Sequence, residues 1–240
     1  MRNRFLVLLE LLSRRVPPGA RYWRERVEGI TGVHLAGGML PTSFQTLPEF
    51  DHDGFLAEIT SASRWLGKAP LMLTPGEREV LTRSGITWSI DGWPLDQLGR
   101  AAMLAVASSR LSPSEIDHLL GDVYRRGETR ERQALLRALP FLVLPQRFIS
   151  LAVDGSSSHD RLVFEAIACE NPYPADHFQD VHFNQLVLTA LSLEIALDRI
   201  LGIARRTTPA LAQAVAGCAG EMRASGRAVP EEIVRLFGTS

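Results

Sequence analysis

The residues best suited to chemistry crowd the stretch from Arg161 to Ile203, which reads RLVFEAIACENPYPADHFQDVHFNQLVLTALSLEIALDRILGI. Glu165 lies inside a nearly unbroken apolar run, Leu162 to Ala168. A carboxylate in such surroundings must be paired or must hold its proton more tightly than usual. Arg161, one helical turn earlier, can clasp it. Unclasped, Glu165 is a poised general acid or base, or an anchor for a polar ligand. Asn171-Pro172-Tyr173-Pro174 follows. Each proline disfavours the helical region for its predecessor, so Asn171 and Tyr173 are expected in extended geometry on a stiff connector. Fixed polar groups there suit ligand recognition. They equally suit a helix stop and restart, with Asn171 satisfying free backbone groups and Tyr173 packed inward.

His177 and His182, with Asp176 and Asp180, spell D-H-x-x-D-x-H. Imidazole plus carboxylate is a donor set for zinc or iron(II). The histidines are five apart, however, not the four that would set two ligands on one helical face. No metal and no other cofactor is therefore expected. His177 and His182 are the residues a metal would use, and His177 otherwise caps or bridges helices. In VHFNQLVLTAL, Phe183, Leu186, Val187 and Ala190 point one way, while His182, Gln185 and Thr189 form a polar stripe on another face. Asn184 and Gln185 offer both donors and acceptors, which suit a hydroxylated, sugar-like or quinone-like ligand or an ordinary network between helices. Arg199, Arg205 and Arg206 come next, and Arg64 and Lys68 lie one turn apart beside Trp65 far upstream. Gathered together they make an anion site for phosphate or pyrophosphate; kept apart they are a solvated surface. Glu165 and His177 are the catalytic candidates. Asn171, Tyr173, Asn184, Gln185, Arg64, Lys68 and Arg199 are the ligand-binding candidates. Walker A, GxGxxG, GxSxG and HExxH patterns are absent.

The elements that must position these groups read as helices of roughly ten to fifteen residues between short turns marked by proline or glycine. Phe5, Leu8, Leu9 and Leu12 make one helical face, broken at Pro17-Pro18-Gly19, and Arg21 to Glu28 is a second, charged helix. Ile30 to Pro48, with HLAGGML inside it, reads as a long loop. Asp53 is expected to cap the helix ending at Gly67. Thr74-Pro75 with Glu77, and Ser112-Pro113 with Glu115, have the form of capped starts. ITWSIDGWPLDQ is the strand-like piece, followed by a buried helix from Pro94 to Ala107. Ile116, Leu119, Leu120 and Val123 stripe the next helix, and Asp154 to Ser158 reads as a tight polar loop. Thr208-Pro209 opens a long helix and Val229-Pro230-Glu231-Glu232 a short closing one.

The fold class is therefore all-α, a multi-helix bundle. The units between Ser112 and Ala168 suggest HEAT-like, α-solenoid stacking of antiparallel helices. Residues 1–50 are expected as N-terminal helices and a flexible loop packing on a main helical domain of residues 51–240, one domain in all. A net charge of −1 provides no global field for nucleic acid or anionic lipid. Cys169 and Cys218 are too few for a disulfide scaffold and read as buried small side chains. Glu10 interrupts the first apolar run and no small-residue cleavage site follows it, so that run reads as an amphipathic helix rather than a signal peptide. No run is long enough to span a membrane, and a cytoplasmic location is expected.

ENPYPADHF, with FNQLVLTAL and LDRILGIARR after it, resembles the signature of EboA-domain proteins. ASRWLGKAPLML and ERQALLRALPFL fit the same pattern, so the resemblance runs from about Phe55 to Arg227. It implies a place in bacterial and algal gene clusters whose other members resemble a UbiA-type prenyltransferase, a sugar-phosphate cyclase, a TatD-like metal hydrolase and a sugar-phosphate isomerase. Such clusters are linked to secondary metabolites, in cyanobacteria to scytonemin, where they help a precursor reach the periplasm. The resemblance implies a pathway and no reaction. The expectation is an accessory protein of prenylated or cyclitol-type metabolite biosynthesis or precursor export. It would bind a small-molecule intermediate or a cluster-encoded enzyme, with its pocket in the 165–185 region. The alternatives are an enzyme using Glu165, His177 and His182, and a helical-repeat adaptor working through the outer face of residues 112–150.

Overall fold

The computed structural model describes residues 4–34 and 49–238. Most of the loop expected between Ile30 and Pro48, including HLAGGML after its first residue, lies outside them. Among the described residues the chain is all-helical, with no strand. It forms two compact units, Met1–Leu151 and Ala152–Ser240.

The first unit is built on α5 (Leu95–Arg110). Every residue from Leu95 to Ser108 is buried, which an amphipathic surface helix could not tolerate. Four helices pack on it: α1 (Arg4–Ser13), α2 (Arg21–Thr31), α3 (His52–Leu66) and α7 (Thr129–Ala138). Gly99 permits the approach of α3, since a Cβ there would stand 2.3 Å from a methyl of Leu66. The face Phe5, Leu8, Leu9 and Leu12 is buried as expected, and Val7 and Leu11 are buried with it, because α1 also packs on α4 (Pro75–Arg83).

Local capping chemistry sets the helix starts. Thr74 with Glu77, and Ser112 with Glu115, form reciprocal capping boxes at α4 and α6 (Pro113–Arg126). At α3 the cap is Asp51 rather than Asp53: Asp51 Oδ1 accepts from Gly54 N at 2.8 Å, and Asp53 sits inside the first turn. ITWSIDGWPLDQ forms no strand. Trp88, Ile90 and Trp93 are buried as core side chains of a turn, and the pairing reduces to one bridge between Pro70 and Pro94. Their aromatic and β-branched character served burial, not a ladder.

A second run of helices begins with α8 (Ile149–Ser156). Of the polar loop expected from Asp154 to Ser158, Asp154 to Ser156 are corrected to the last turn of this helix, where Ser156 Oγ donates to Val153 O at 2.8 Å, while Ser157 and Ser158 lie beyond it. The second unit continues with α9 (Arg161–Ala168), α10 (Tyr173–His177), α11 (Asp180–Ser192), α12 (Ile203–Arg206), α13 (Pro209–Ala224) and α14 (Glu231–Phe237). Tyr173, expected to be extended before Pro174, instead opens α10. In a first turn Pro174 forfeits no helical hydrogen bond, and the Tyr173 N–H donates to Asn171 Oδ1 at 3.0 Å. No described helix is long and apolar enough to cross a membrane.

Candidate functional site

Asp160 caps α9, and the helix turns Val163, Phe164, Ile167 and their neighbours inward. One edge stays open, and Glu165 stands half-buried on it. Arg161 Nε donates to Glu165 Oε1 at 2.8 Å, and Arg199 Nη1 donates to Oε2 at 3.1 Å. Burial pushes the Glu165 carboxyl up, but the two guanidiniums outweigh it and hold the group below the usual carboxylate range. With both oxygens taken and its basicity reduced, Glu165 is built to position its partners. Cys169 next to it is buried, and burial pushes its thiol up to about 12, far from the thiolate a nucleophile needs.

The two arginines carry the clasp outward. Arg199 also forks onto Glu170 at 2.8 and 3.0 Å, and the Glu170 N–H donates to Arg199 O at 2.8 Å. Arg161 Nη1 donates to Leu193 O at 2.9 Å. Glu165 thus fixes both ends of the segment from Leu193 to Arg199, which leaves α11 through a left-handed residue, Glu194, at φ +55°. That conformation is usual for glycine at a helix C-terminus. Here it is supported by the Ile195 N–H donating to Ala190 O at 2.9 Å.

The segment forms one wall of a cleft of about 430 Å³. Leu191, Ile195 and Met222 supply an apolar lining, and Glu194, Arg227 and Glu232 supply charge. An apolar cavity of this size with a few polar groups has the character of a small-molecule site.

The Asn-Pro-Tyr-Pro turn serves the same framework. Asn171 is buried; its Nδ2 donates to Ala166 O at 2.9 Å, so its amide closes α9 at one end and opens α10 at the other. Tyr173 is buried with its ring centroid 4.6 Å from that of His177. Burial lowers the His177 pKa and Asp176 opposes it. His182 packs edge-on to Phe178. Both carboxylates of D-H-x-x-D-x-H are held by arginines, Asp176 by Arg205 at 3.0 Å and Asp180 by Arg206 at 2.9 Å. Arg206 also donates to Ala175 O and Phe178 O and lies over the Phe183 ring. Asn184 Oδ1 is buried without a hydrogen-bond partner, and Gln185, exposed, reaches Thr189 Oγ1 at 3.5 Å.

Arg64 and Lys68 are exposed on the first unit, Arg64 over the Trp65 ring, while Arg199 belongs to the second. The first unit also holds an ion cluster that the sequence reading did not single out. Asp96 and Arg100, fully buried on α5, pair at 2.5 Å. Arg130 forks onto Asp96 at 2.5 and 2.9 Å, Ser63 Oγ donates to it at 2.6 Å, and Arg100 reaches Glu131 at 3.1 Å. Burial raises the Asp96 pKa, but these donors bring it below its ordinary value. The sequence signal was a charged pair four apart inside an otherwise apolar helix. Its chemistry is to stitch α3, α5 and α7 together.

No curated protein and no solved structure matches the chain. The family model described as metabolite traffic protein EboA matches residues 45–238, which include the clasp, the proline turn and the cleft. The chain therefore belongs to the EboA family of metabolite traffic proteins.

Proposed function

We propose that this protein binds a small-molecule intermediate of a secondary-metabolite pathway, prenylated or cyclitol-type, and hands it on without transforming it. The observation that carries the reading is the 430 Å³ cleft of the second unit, apolar along Leu191, Ile195 and Met222 and charged at Arg227, Glu194 and Glu232. A ligand with an apolar body and one polar end fits that distribution. Glu165, Arg199, Asn171 and Tyr173 form the frame that holds one wall in place. Enzymatic use of Glu165 and His177 is the weaker reading: the carboxylate is doubly engaged and the imidazole lies against Tyr173.

In this reading the protein is cytoplasmic and meets enzymes encoded beside it. HEAT-like stacking of α6 on α7, within the first unit, would supply the surface for them, and the packing of α6 against α7 is compatible with it.

Calorimetric titration with a prenyl alcohol, the matching prenyl monophosphate and a cyclitol tests the proposal, alongside Ala228→Trp, which fills the cleft from an exposed position. Micromolar binding of a prenyl probe that disappears in Ala228→Trp at an unchanged melting temperature is the expected result. Absence of binding by all three probes, or binding indifferent to Ala228→Trp, overturns it.

A further inference from the structure

The first unit contains a constellation that neither the clasp nor the cleft uses. His118 and Asp122 are four apart on α6 and so share a face. His52, the first residue of α3, meets them from another helix: His52 Nε2 stands 3.2 Å from Asp122 Oδ2, and His118 Nδ1 stands 3.8 Å from the same oxygen. One donor atom from each of the three residues lies within 4.8 Å of the other two. The imidazole centroids are 5.2 Å apart and the rings are tilted at 55°, not stacked.

These separations are those of a slightly expanded coordination sphere. Tetrahedral bonds of about 2.0–2.1 Å to nitrogen and oxygen put neighbouring ligand atoms roughly 3.3 Å apart. The His52–Asp122 pair already has that spacing. The His118 side chain is 67% exposed, so a small rotation about its own bonds closes the rest without moving backbone. Asp122 is the fixed point. It is buried, and its second oxygen, Oδ1, accepts from Arg125 Nη2 at 2.8 Å, which orients Oδ2 toward the two rings. Arg126 Nη2 stands 3.7 Å from Oδ2; its side chain is 69% exposed and has solvent to swing into.

The surroundings give the open side of the sphere a direction. Phe50, Leu111, Ser114 and Glu115 join His52 and His118 around a hollow of about 290 Å³. Three protein ligands with a vacant position beside a hollow is the arrangement of metal sites that receive an exogenous oxygen ligand, whereas purely structural sites are closed by four.

We propose that His52 Nε2, His118 Nδ1 and Asp122 Oδ2 bind a divalent first-row transition ion of the zinc and iron(II) class, with its open position toward the hollow beside Phe50 and Ser114. Two imidazoles and one carboxylate match the preference of such ions for nitrogen with oxygen, and disfavour calcium or magnesium, which take oxygen donors. The ion would give the first unit a Lewis-acidic point able to hold an anionic or carbonyl oxygen, independently of the cleft in the second unit.

Untagged full-length protein, stripped with chelator and titrated with Zn²⁺ by calorimetry and with Co²⁺ by visible absorption, tests this. One ion per chain at micromolar affinity is expected, together with cobalt bands of a low-coordinate nitrogen and oxygen site. His118→Ala and His52→Ala should each weaken binding by about 100-fold or more, exceeding the usual cost of losing an outer contact to a ligand. His118 is exposed and its removal leaves the fold intact, so circular dichroism and the zinc-free melting temperature should match wild type. His177→Ala should bind as wild type does. Failure of wild type to bind Zn²⁺ at micromolar concentration, or stoichiometric binding retained in His118→Ala or His52→Ala, overturns the proposal.

Discussion

Arg199 and Glu170 hold each other twice, once through side chains and once through backbone. The guanidinium forks onto both carboxylate oxygens at 2.8 and 3.0 Å, while the Glu170 N–H donates to the carbonyl of Arg199 at 2.8 Å. Glu170 adopts φ +48° to do so, a region where a side chain costs roughly 1 kcal/mol or more. The cost is met by a guanidinium that engages a second carboxylate, Glu165, with its remaining nitrogen. Lysine cannot reproduce this, because an ammonium is a point charge without a planar fork. Arg199→Lys should therefore lose one of its two carboxylates. The pair is about two-fifths exposed, so the expected loss of stability is about 1 kcal/mol. All four tryptophans, Trp23, Trp65, Trp88 and Trp93, lie in the first unit. Urea denaturation followed by far-ultraviolet circular dichroism, which reports on the helices of the second unit, is therefore the suitable measurement.

Acid should unfold the first unit partly through Glu77. The hydrogen bond from Arg15 at 2.7 Å, with the donors at Thr74, brings its pKa down from 4.5 to about 2 against the opposing effect of burial. A depressed carboxylate pKa contributes stability that is complete above the unfolded value and disappears as pH falls through the folded one. The contribution, on the order of 3 kcal/mol, should thus be lost between about pH 4.5 and 2. Glu77→Gln should be less stable than wild type at pH 7, and the gap should narrow as pH falls through that window. Tryptophan-monitored urea titrations across the range would show it. A gap that stayed constant with pH would rule out Glu77 as the titrating group.

The Asp96–Arg100 cluster predicts a larger and differently shaped effect. Removing one partner of a buried ion pair strands the other, at about 3–5 kcal/mol. Arg100→Met leaves Asp96 with Arg130 and Ser63, so it should cost near the low end. Asp96→Ala leaves Arg100 with one carboxylate, Glu131, besides Ser63 Oγ and backbone carbonyls, and also releases Arg130, so it should cost near the high end. The double variant should be less damaging than the sum, because the stranded charge is then gone. A double-mutant cycle in urea measures all three.

What could be read from the chain alone divides by the distance over which the physics acts. The capping boxes at Thr74 and Ser112 and the stripe Ile116, Leu119, Leu120 and Val123 are local, and they stand in the structure where the spacing puts them. The Arg161–Glu165 clasp is local too, an i, i+4 pair. Its continuation is not: Arg199 reaches Glu170 across 29 residues, and His52 reaches Asp122 across 70. Only the tertiary fold brings such partners together, and sequence spacing has no term for it. The strand-like reading near Trp88 failed for a related reason, since β-branched and aromatic residues mark burial in a turn as readily as pairing in a sheet. Tyr173 failed because the restriction that Pro174 imposes is a local preference, and the capped start of α10 outweighs it. Of the three donors in the proposed metal site, His118 and Asp122 stand four apart on one helix, a spacing present in the sequence that was not singled out there, while His52 joins them only through the fold.

The two cysteines should separate cleanly in a thiol-labelling experiment. Cys169 is buried at the end of α9, and its thiol is pushed up to about 12, chiefly by burial and only partly opposed by the charge of Arg199. Attack on an aromatic disulfide reagent requires the thiolate and requires access, and Cys169 lacks both in the folded state. Cys218 lies half-exposed on α13. At neutral pH the native protein should therefore release one equivalent of chromophore promptly, with the second appearing at the rate of opening of the second unit. Cys218→Ser should abolish the fast phase and leave the slow one. Arg199→Lys should then accelerate the slow phase in proportion to the stability it removes, about 5-fold for 1 kcal/mol. A slow phase indifferent to Arg199 would mean that Cys169 is reached by a local opening that leaves the clasp around Glu165 closed.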